Sequence, residues 1–204
     1  MTKVLQKENL NEIKEALLAG EVIAFPTETV YGLGVISTSK ECFDKLVKVK
    51  NRSPEKPFTL MVSSIKQVEN LAELNYFSKK LIKKYFPGPI TLILKAKKNI
   101  PEYYDLGSGY IGVRMPNDEF VLKMIESVGV PLLVPSANPS NLKPATNFEE
   151  VLNYFNEKIY GVVEGKIKSN IPSTIIKISD DGKIELIREG ELKFKDILED
   201  LKWD

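Results

Sequence analysis

Apolar positions along this chain follow two repeating patterns, and the switches between them mark out its elements. Leu10, Ile13 and Leu17 share one face of a helix over residues 8–18, with Gly20 as a terminator. Residues 22–25 are a short apolar run that reads as a buried strand, ended by Pro26, which has no N–H for a ladder. Ser39 caps a second helix carrying Phe43, Leu46, Val47 and Lys50, which runs out at Asn51-Arg52-Ser53-Pro54. A strand at 58–62 precedes two short helices capped by Ser64 and Asn75, the second stopped by Pro87-Gly88-Pro89. Residues 90–95 form a strongly apolar strand, 99–109 a polar mobile loop, and 110–115 a strand ended by Pro116. Asn117 caps a helix bearing Phe120, Val121, Met124, Ile125 and Val128. A buried strand at 131–134 opens into Pro135-Ser136-Ala137-Asn138-Pro139-Ser140. A helix at 148–155, strands at 160–163, 173–178 and 184–188, and an amphipathic helix at 194–201 complete the chain.

Strands alternating with helices, without repeat or linker, predict a single α/β domain over residues 1–204. The last strands flank Asp180-Asp181-Gly182 as a hairpin, so the expected sheet is twisted and mixed, flanked by helices. The length of 204 residues and 43% hydrophobic content suit one sizeable core. A net charge of +1 gives no global case for nucleic acid or membrane, so any basic site must be a local cluster. The N-terminus has no apolar signal region and no run is long enough to span a bilayer, so a cytoplasmic protein is expected.

The most restrictive feature of the composition is that it contains no histidine. Ser–His–Asp and Cys–His nucleophile systems are excluded, as are histidine-ligated zinc sites. The single cysteine, Cys42, falls in a helical apolar pattern and reads as a small core residue. Chemistry is left to Lys, Arg, carboxylates, hydroxyls, backbone groups or a hard cation.

Two glycine-rich or serine motifs do not survive their context. Residues 107–112 match G-x-G-x-x-G, but a polar loop precedes them and a strand follows, the reverse of a dinucleotide fingerprint. Ser140-Asn141-Leu142-Lys143 matches S-x-x-K but lies in a loop. No phosphate-binding G-x-x-x-x-G-K-[ST] is present.

A stronger pattern is the convergence of strand ends on polar and basic residues. Phe25 leads to Thr27 and Thr29, Val113 to Arg114, Val134 to Ser136 and Asn138, and Leu186-Ile187 to Arg188, while Ser173-Thr174 opens a strand. In α/β sheets ligands bind at one end of the strands. Lys50, Arg52 and Lys56 add cations, giving a concave basic pocket suited to phosphate or carboxylate. Gly32 and Gly34 are read as letting backbone approach a ligand or turn with positive φ. Lys-x-Arg at a helix C-terminus also favours the helix dipole without any ligand.

Taken in order, these segments resemble the YrdC/TsaC-type L-threonylcarbamoyladenylate synthase family in its short form. The matching stretches are 26–34, Lys50-Asn51-Arg52 with Lys56-Pro57, 87–91, Val113-Arg114-Met115-Pro116, Pro135-Ser136-Ala137-Asn138, 172–176 and Arg188-Glu189-Gly190. The resemblance implies a YrdC-like fold and a nucleotidyltransferase reaction. L-Threonine, bicarbonate or CO₂, and ATP would give threonylcarbamoyl-AMP and pyrophosphate, for modification of tRNA at adenosine 37. It implies catalytic roles for Lys50, Arg52, Ser136 and Asn138. Threonine would meet Thr29, Tyr31, Arg114, Val134 and Ser173, and ATP would meet Arg52, Lys56, Tyr110, Ser136, Thr174 and Arg188. Mg²⁺ would bridge phosphates without a protein ligand set, Glu28 being at most an outer-shell partner. Contact with RNA, including tRNA, and passage of product to a separate threonylcarbamoyl transferase would complete the role. Asn141 stands where relatives often have Gly, and Phe58-Thr59-Leu60-Met61 resembles a YciO-like branch, for which the alternative is a non-catalytic RNA- or nucleotide-binding protein.

Overall fold

In the computed structural model, residues 1–202 are described, and they build a ten-stranded mixed sheet with helices on both faces. The strands are β1 (Lys3–Leu5), β2 (Ile23–Phe25), β3 (Gly32–Ile36), β4 (Leu60–Met61), β5 (Ile90–Lys95), β6 (Tyr110–Arg114), β7 (Leu132–Leu133), β8 (Gly161–Val163), β9 (Thr174–Ile178) and β10 (Ile184–Arg188). Their order across the sheet is β1-β8-β2-β3-β7-β4-β6-β5-β9-β10. β1, β8 and β2 run parallel, as do β4 with β6 and β5 with β9, and the remaining pairs are antiparallel. The final hairpin, β9–β10, forms as expected.

The helices are α1 (Leu10–Leu18), α2 (Lys40–Lys50), α3 (Ile65–Leu71), α4 (Tyr76–Tyr85), α5 (Glu102–Asp105), α6 (Glu119–Val128), α7 (Phe148–Phe155) and α8 (Phe194–Lys202). Among the described residues, no helix is long and apolar enough to cross a membrane. Side chains alternate across the strands, so each buried strand feeds two cores. Ile23, Phe25, Leu132 and Val134 pack with Ile13 and Leu17 of α1 and Val121, Met124 and Ile125 of α6. Val22, Ala24, Leu33 and Leu133 face the opposite core, with Phe43, Leu46, Val68, Leu81, Val151, Phe155 and Ile197. Cys42 is a buried free thiol in that second core.

Local sequence accounts for most helix starts. Ser39, Ser64, Asn75 and Asn147 each accept a hydrogen bond from a backbone N–H in the first turn. For α6 the cap is Asp118 rather than Asn117: its Oδ1 accepts from Val121 N at 3.1 Å. Residues 99–109 are also not a free loop. α5 forms within them, and the Tyr103 and Tyr104 hydroxyls donate to Ser37 O and Ser37 Oγ, both at 2.7 Å.

β3 rules out the turn alternative for the two glycines, while Gly32 does line the cleft described below. Neither Gly32 nor Gly34 has positive φ. A Cβ on Gly34 would lie 2.6 Å from a ring carbon of Phe25, and one on Gly32 would lie 2.6 Å from Val134 Cγ1. Their lack of a side chain leaves the space that Phe25 and Val134 fill against β3.

Candidate active site

A cleft of about 730 Å³, its open mouth included, lies at one end of the strands. That is the size class of a small-molecule site. Thr27, Val30, Tyr31 and Gly32 line it from the β2–β3 connection, Lys50 and Arg52 from the end of α2, and Pro57, Phe58, Thr59 and Met61 from the segment after it. Thr91, Arg114, Val134, Pro135, Ser136, Pro172, Ser173, Ile175 and Arg188 close the other sides. The lining includes four cations and no carboxylate.

The end of α2 builds the first cationic group. Asn51 takes a left-handed conformation (φ 48°), with Asn51 N bonded to Lys48 O and Arg52 N to Val47 O, each at 3.1 Å. This reversal points Lys50 and Arg52 inward. Lys50 is buried, and its Nζ donates to Ser136 O (2.6 Å), Asn138 O (2.9 Å) and Asn138 Oδ1 (3.1 Å). Burial, with a smaller push from Arg52, lowers its pKa to about 7, while the three oxygens favour keeping the proton. Arg52 donates from Nε to Lys56 O and from Nη2 to Pro57 O, both at 3.2 Å, and its guanidinium carbon sits 5.3 Å from the Phe58 ring centre. Burial lowers its pKa as well.

Ser136 continues β7 past Leu133 and bridges to Gly32 at the start of β3. Its hydroxyl donates to Asn138 Oδ1 at 2.6 Å. Asn138 Nδ2 in turn donates to Pro139 O and Leu142 O, at 3.0 and 2.8 Å. Asn138 thus braces Ser136 and Lys50 from behind the cleft wall.

The second cationic group is Arg114, at the end of β6. Thr27 Oγ1 donates to Val30 O at 2.8 Å and accepts from Thr29 N at 3.1 Å, which closes the 27–30 turn and turns Thr29 inward. Arg114 Nη2 donates to Thr29 Oγ1 at 2.9 Å and lies 2.8 Å from Glu28 Oε1. The Glu28 approach is off-axis. Neither carboxylate oxygen, nor Arg114 Nε, has an aligned hydrogen-bond partner among the described residues. Tyr31 OH donates to Gly165 O (2.7 Å) and accepts from Gly165 N (3.1 Å), pinning Gly165 to the turn. Burial pushes its phenol up to about 12.

Arg188, at the end of β10, completes the set. Its Nη2 and Nε reach Ser173 O at 2.8 and 3.3 Å, and Ser173 Oγ lies 3.0 Å from Thr91 Oγ1. Burial, and then the nearby charge of Arg114, lower its pKa.

Of the residues proposed from sequence, the fold brings Tyr31, Lys50, Arg52, Arg114, Val134, Ser136, Ser173 and Arg188 to one cleft. Thr29 and Asn138 sit one layer behind it, bonded to Arg114 and Lys50. Lys56 is exposed, and its carbonyl, not its ammonium, meets Arg52. Tyr110 begins β6, at the opposite end from Arg114, with Lys177 Nζ 4.1 Å from its ring centre. Thr174 Oγ1 is buried in a hub, donating to Leu192 O (2.6 Å) and accepting from Gly190 N (3.0 Å) and Leu192 N (3.1 Å). Glu28 pairs with Arg114 and does not line the cleft. Thr91, Thr59 and Met61 line it without having been assigned a site role from sequence. Thr91, a lone hydroxyl in the apolar run 90–94, was the visible signal.

The family model Sua5_yciO_yrdC, described as "Telomere recombination", matches residues 15–190. The chain belongs to this family. Within the Sua5/YciO/YrdC proteins, one from Methanocaldococcus jannaschii is 36% identical over 91% of this chain and 87% of its own. The threonylcarbamoyl-AMP synthase of Buchnera aphidicola is 37% identical over 78% of this chain and 92% of its own. The crystal structure of Pyrococcus abyssi Sua5 complexed with L-threonine matches at a TM-score of 0.91 and 30% identity, covering 98% of this chain and 60% of that one. This chain therefore spans about three fifths of the P. abyssi protein.

Proposed function

We propose that this chain is an L-threonylcarbamoyl-AMP synthase, a nucleotidyltransferase that joins threonine, bicarbonate or CO₂, and ATP with release of pyrophosphate. The observation that carries the reading is the convergence of Lys50, Arg52, Arg114 and Arg188 on a cleft with no lining carboxylate, in a member of this family. Bicarbonate, the threonine carboxylate and the ATP phosphates are all anionic, so a cation-lined cleft matches them.

We assign Arg114, with Thr29 behind it and Tyr31, Val134 and Ser173 around it, to the threonine carboxylate. Lys50, Arg52, Ser136 and Arg188 are assigned to the triphosphate, with Asn138 bracing Lys50 and Ser136. Lys56, Tyr110 and Thr174 would reach ATP only by movement of their segments, and Thr174 acts more simply by holding the residue 188–192 strand end. Bicarbonate supplies CO₂ with loss of hydroxide, and threonine's ammonium loses two protons, one to that hydroxide as water and one to solvent, as its nitrogen bonds to the CO₂ carbon, giving a carbamate anion. A carbamate oxygen attacks the α-phosphorus as the bond to pyrophosphate breaks. The nucleophile is already charged, so positioning and charge neutralisation carry the step and no histidine is needed. Mg²⁺ would enter on the triphosphate, held by phosphate oxygens and water, because the cleft lining offers no carboxylate.

The product is a reactive mixed anhydride, consistent with transfer to tRNA by a separate threonylcarbamoyl transferase in the cytoplasm, with direct RNA contact as a further element of the proposal. The test is pyrophosphate release that depends on both threonine and bicarbonate. Release without threonine, or none from folded protein with Mg²⁺, contradicts the reading.

A further inference from the structure

The four cations of the cleft are not equivalent. Arg114 is buried and carries its own counter-charge, Glu28 Oε1, at 2.8 Å. Glu28 is 5% exposed and lies behind the guanidinium, not in the cleft. Among the described residues, Arg188 meets only the neutral oxygens of Ser173, Arg52 only main-chain carbonyls and the Phe58 ring, and Lys50 only the oxygens of Ser136 and Asn138. Arg114 and Arg188 are close enough for one charge to affect the other. A polyphosphate attracted by the uncompensated cations could therefore slide onto Arg114 unless something discriminates. A guanidinium already neutralised from behind retains its donors and geometry but loses most of its pull on a multiply charged anion. The pairing is also incomplete: both Glu28 oxygens and Arg114 Nε lack an aligned partner, so the pair supplies charge compensation more than a fixed bidentate lock.

We infer that Glu28 is the specificity-determining residue of the cleft: by cancelling the charge of Arg114 it reserves that end for a singly charged amino-acid carboxylate and keeps polyphosphate at the Lys50, Arg52 and Arg188 end. The inference rests on the proposed synthase function and adds to it a residue that touches no substrate. It turns the division of the cleft into a matter of charge, because both ends offer similar hydrogen-bond donors.

The experiment measures the KM for threonine at rising ATP in the unmodified protein, in Glu28→Gln and in Glu28→Asp. With the carboxylate present, the KM for threonine is independent of ATP. In Glu28→Gln it rises about fivefold or more between low and saturating ATP, because triphosphate now competes at Arg114. Glu28→Asp, which keeps the charge, restores independence. A merely structural role would change kcat or yield but would not create competition between ATP and threonine. A flat threonine KM in Glu28→Gln, or the same competition in Glu28→Asp, overturns the inference while leaving the synthase function standing. If neither variant folds, inorganic tripolyphosphate is added to the unmodified enzyme. It must inhibit competitively against ATP without raising the threonine KM, and competition with threonine overturns the inference. An unmodified protein with no threonine-dependent turnover overturns the function and this inference together.

Discussion

Lys50 Nζ is held between two residues of one loop, 2.6 Å from Ser136 O and 2.9 and 3.1 Å from the carbonyl and Oδ1 of Asn138. The ammonium thus fastens the end of α2 to the segment after β7, across 86 and 88 residues of sequence. Lys50→Met keeps the stem volume but removes that donor: Ser136 O keeps Asn138 N at 3.0 Å and Asn138 Oδ1 keeps Ser136 Oγ at 2.6 Å, while the Asn138 carbonyl loses its Lys50 partner. Loss of about 1–3 kcal/mol in folding stability is expected, read by denaturant titration, with activity lost as well. A variant as stable as the parent would separate Lys50 from the loop.

The same residue gives a pH dependence. In the unfolded chain Lys50 has its ordinary pKa of 10.5, and in the fold burial brings it to about 7. Between those values the unfolded state holds a proton that the folded state has released, so this group makes stability rise with pH. Below about 7 both states are protonated and the full cost of burying the charge is present. The unmodified protein should therefore gain on Lys50→Met by about 1 kcal/mol per pH unit across that window. Denaturation midpoints at several pH values check this, and a flat difference contradicts it.

Arg52 is only partly buried, and its partners are carbonyls of a surface loop. Arg52→Ala should lower kcat/KM by about 100-fold or more while shifting stability by less than about 1 kcal/mol. Steady-state kinetics beside a melting curve distinguishes this from a folding defect.

Thr174→Val deletes the hub that joins β9 to residues 190–192, leaving Gly190 N and Leu192 N without their acceptor. The expected cost is about 1–3 kcal/mol, together with a higher KM for ATP, because Arg188 is carried by the same strand end. A raised threonine KM with an unchanged ATP KM would place Arg188 on the other substrate.

Gly34→Ala forces a Cβ to 2.6 Å from the Phe25 ring. A loss of about 1–3 kcal/mol is expected, partly recovered in Gly34→Ala with Phe25→Leu. A double-mutant cycle measures the coupling.

Much of this architecture was legible because local signals and tertiary packing agree. The apolar run of β5, the helical spacing of α7 and the hairpin of β9 and β10 all lie where the sequence places them. β1 was not legible: of Lys3, Val4 and Leu5 only Leu5 is buried, and the strand exists through parallel pairing with β8. α5 was hidden in a polar stretch, because its anchor is Ser37, far away in sequence. The cations of the site could be found from strand ends and the end of α2, where backbone direction is set locally. The layering behind them could not. Thr29 and Asn138 look like cleft residues in one dimension, but their neighbours Arg114 and Lys50 arrive from distant segments and take the front position. The glycines of β3 are explained by Phe25 and Val134, and that packing appears only once the strands pair.

If this chain builds a carbamoyl adenylate from threonine, the bicarbonate carbon must end in that nucleotide. Purified protein is incubated with ATP, Mg²⁺, threonine and carbon-14 bicarbonate, and the nucleotides are resolved. Label is expected in a new adenylate that forms only with threonine, matches pyrophosphate in amount and disappears in Arg52→Ala. Pyrophosphate or AMP formed without labelled adenylate, or labelled product formed equally well without threonine, would contradict it.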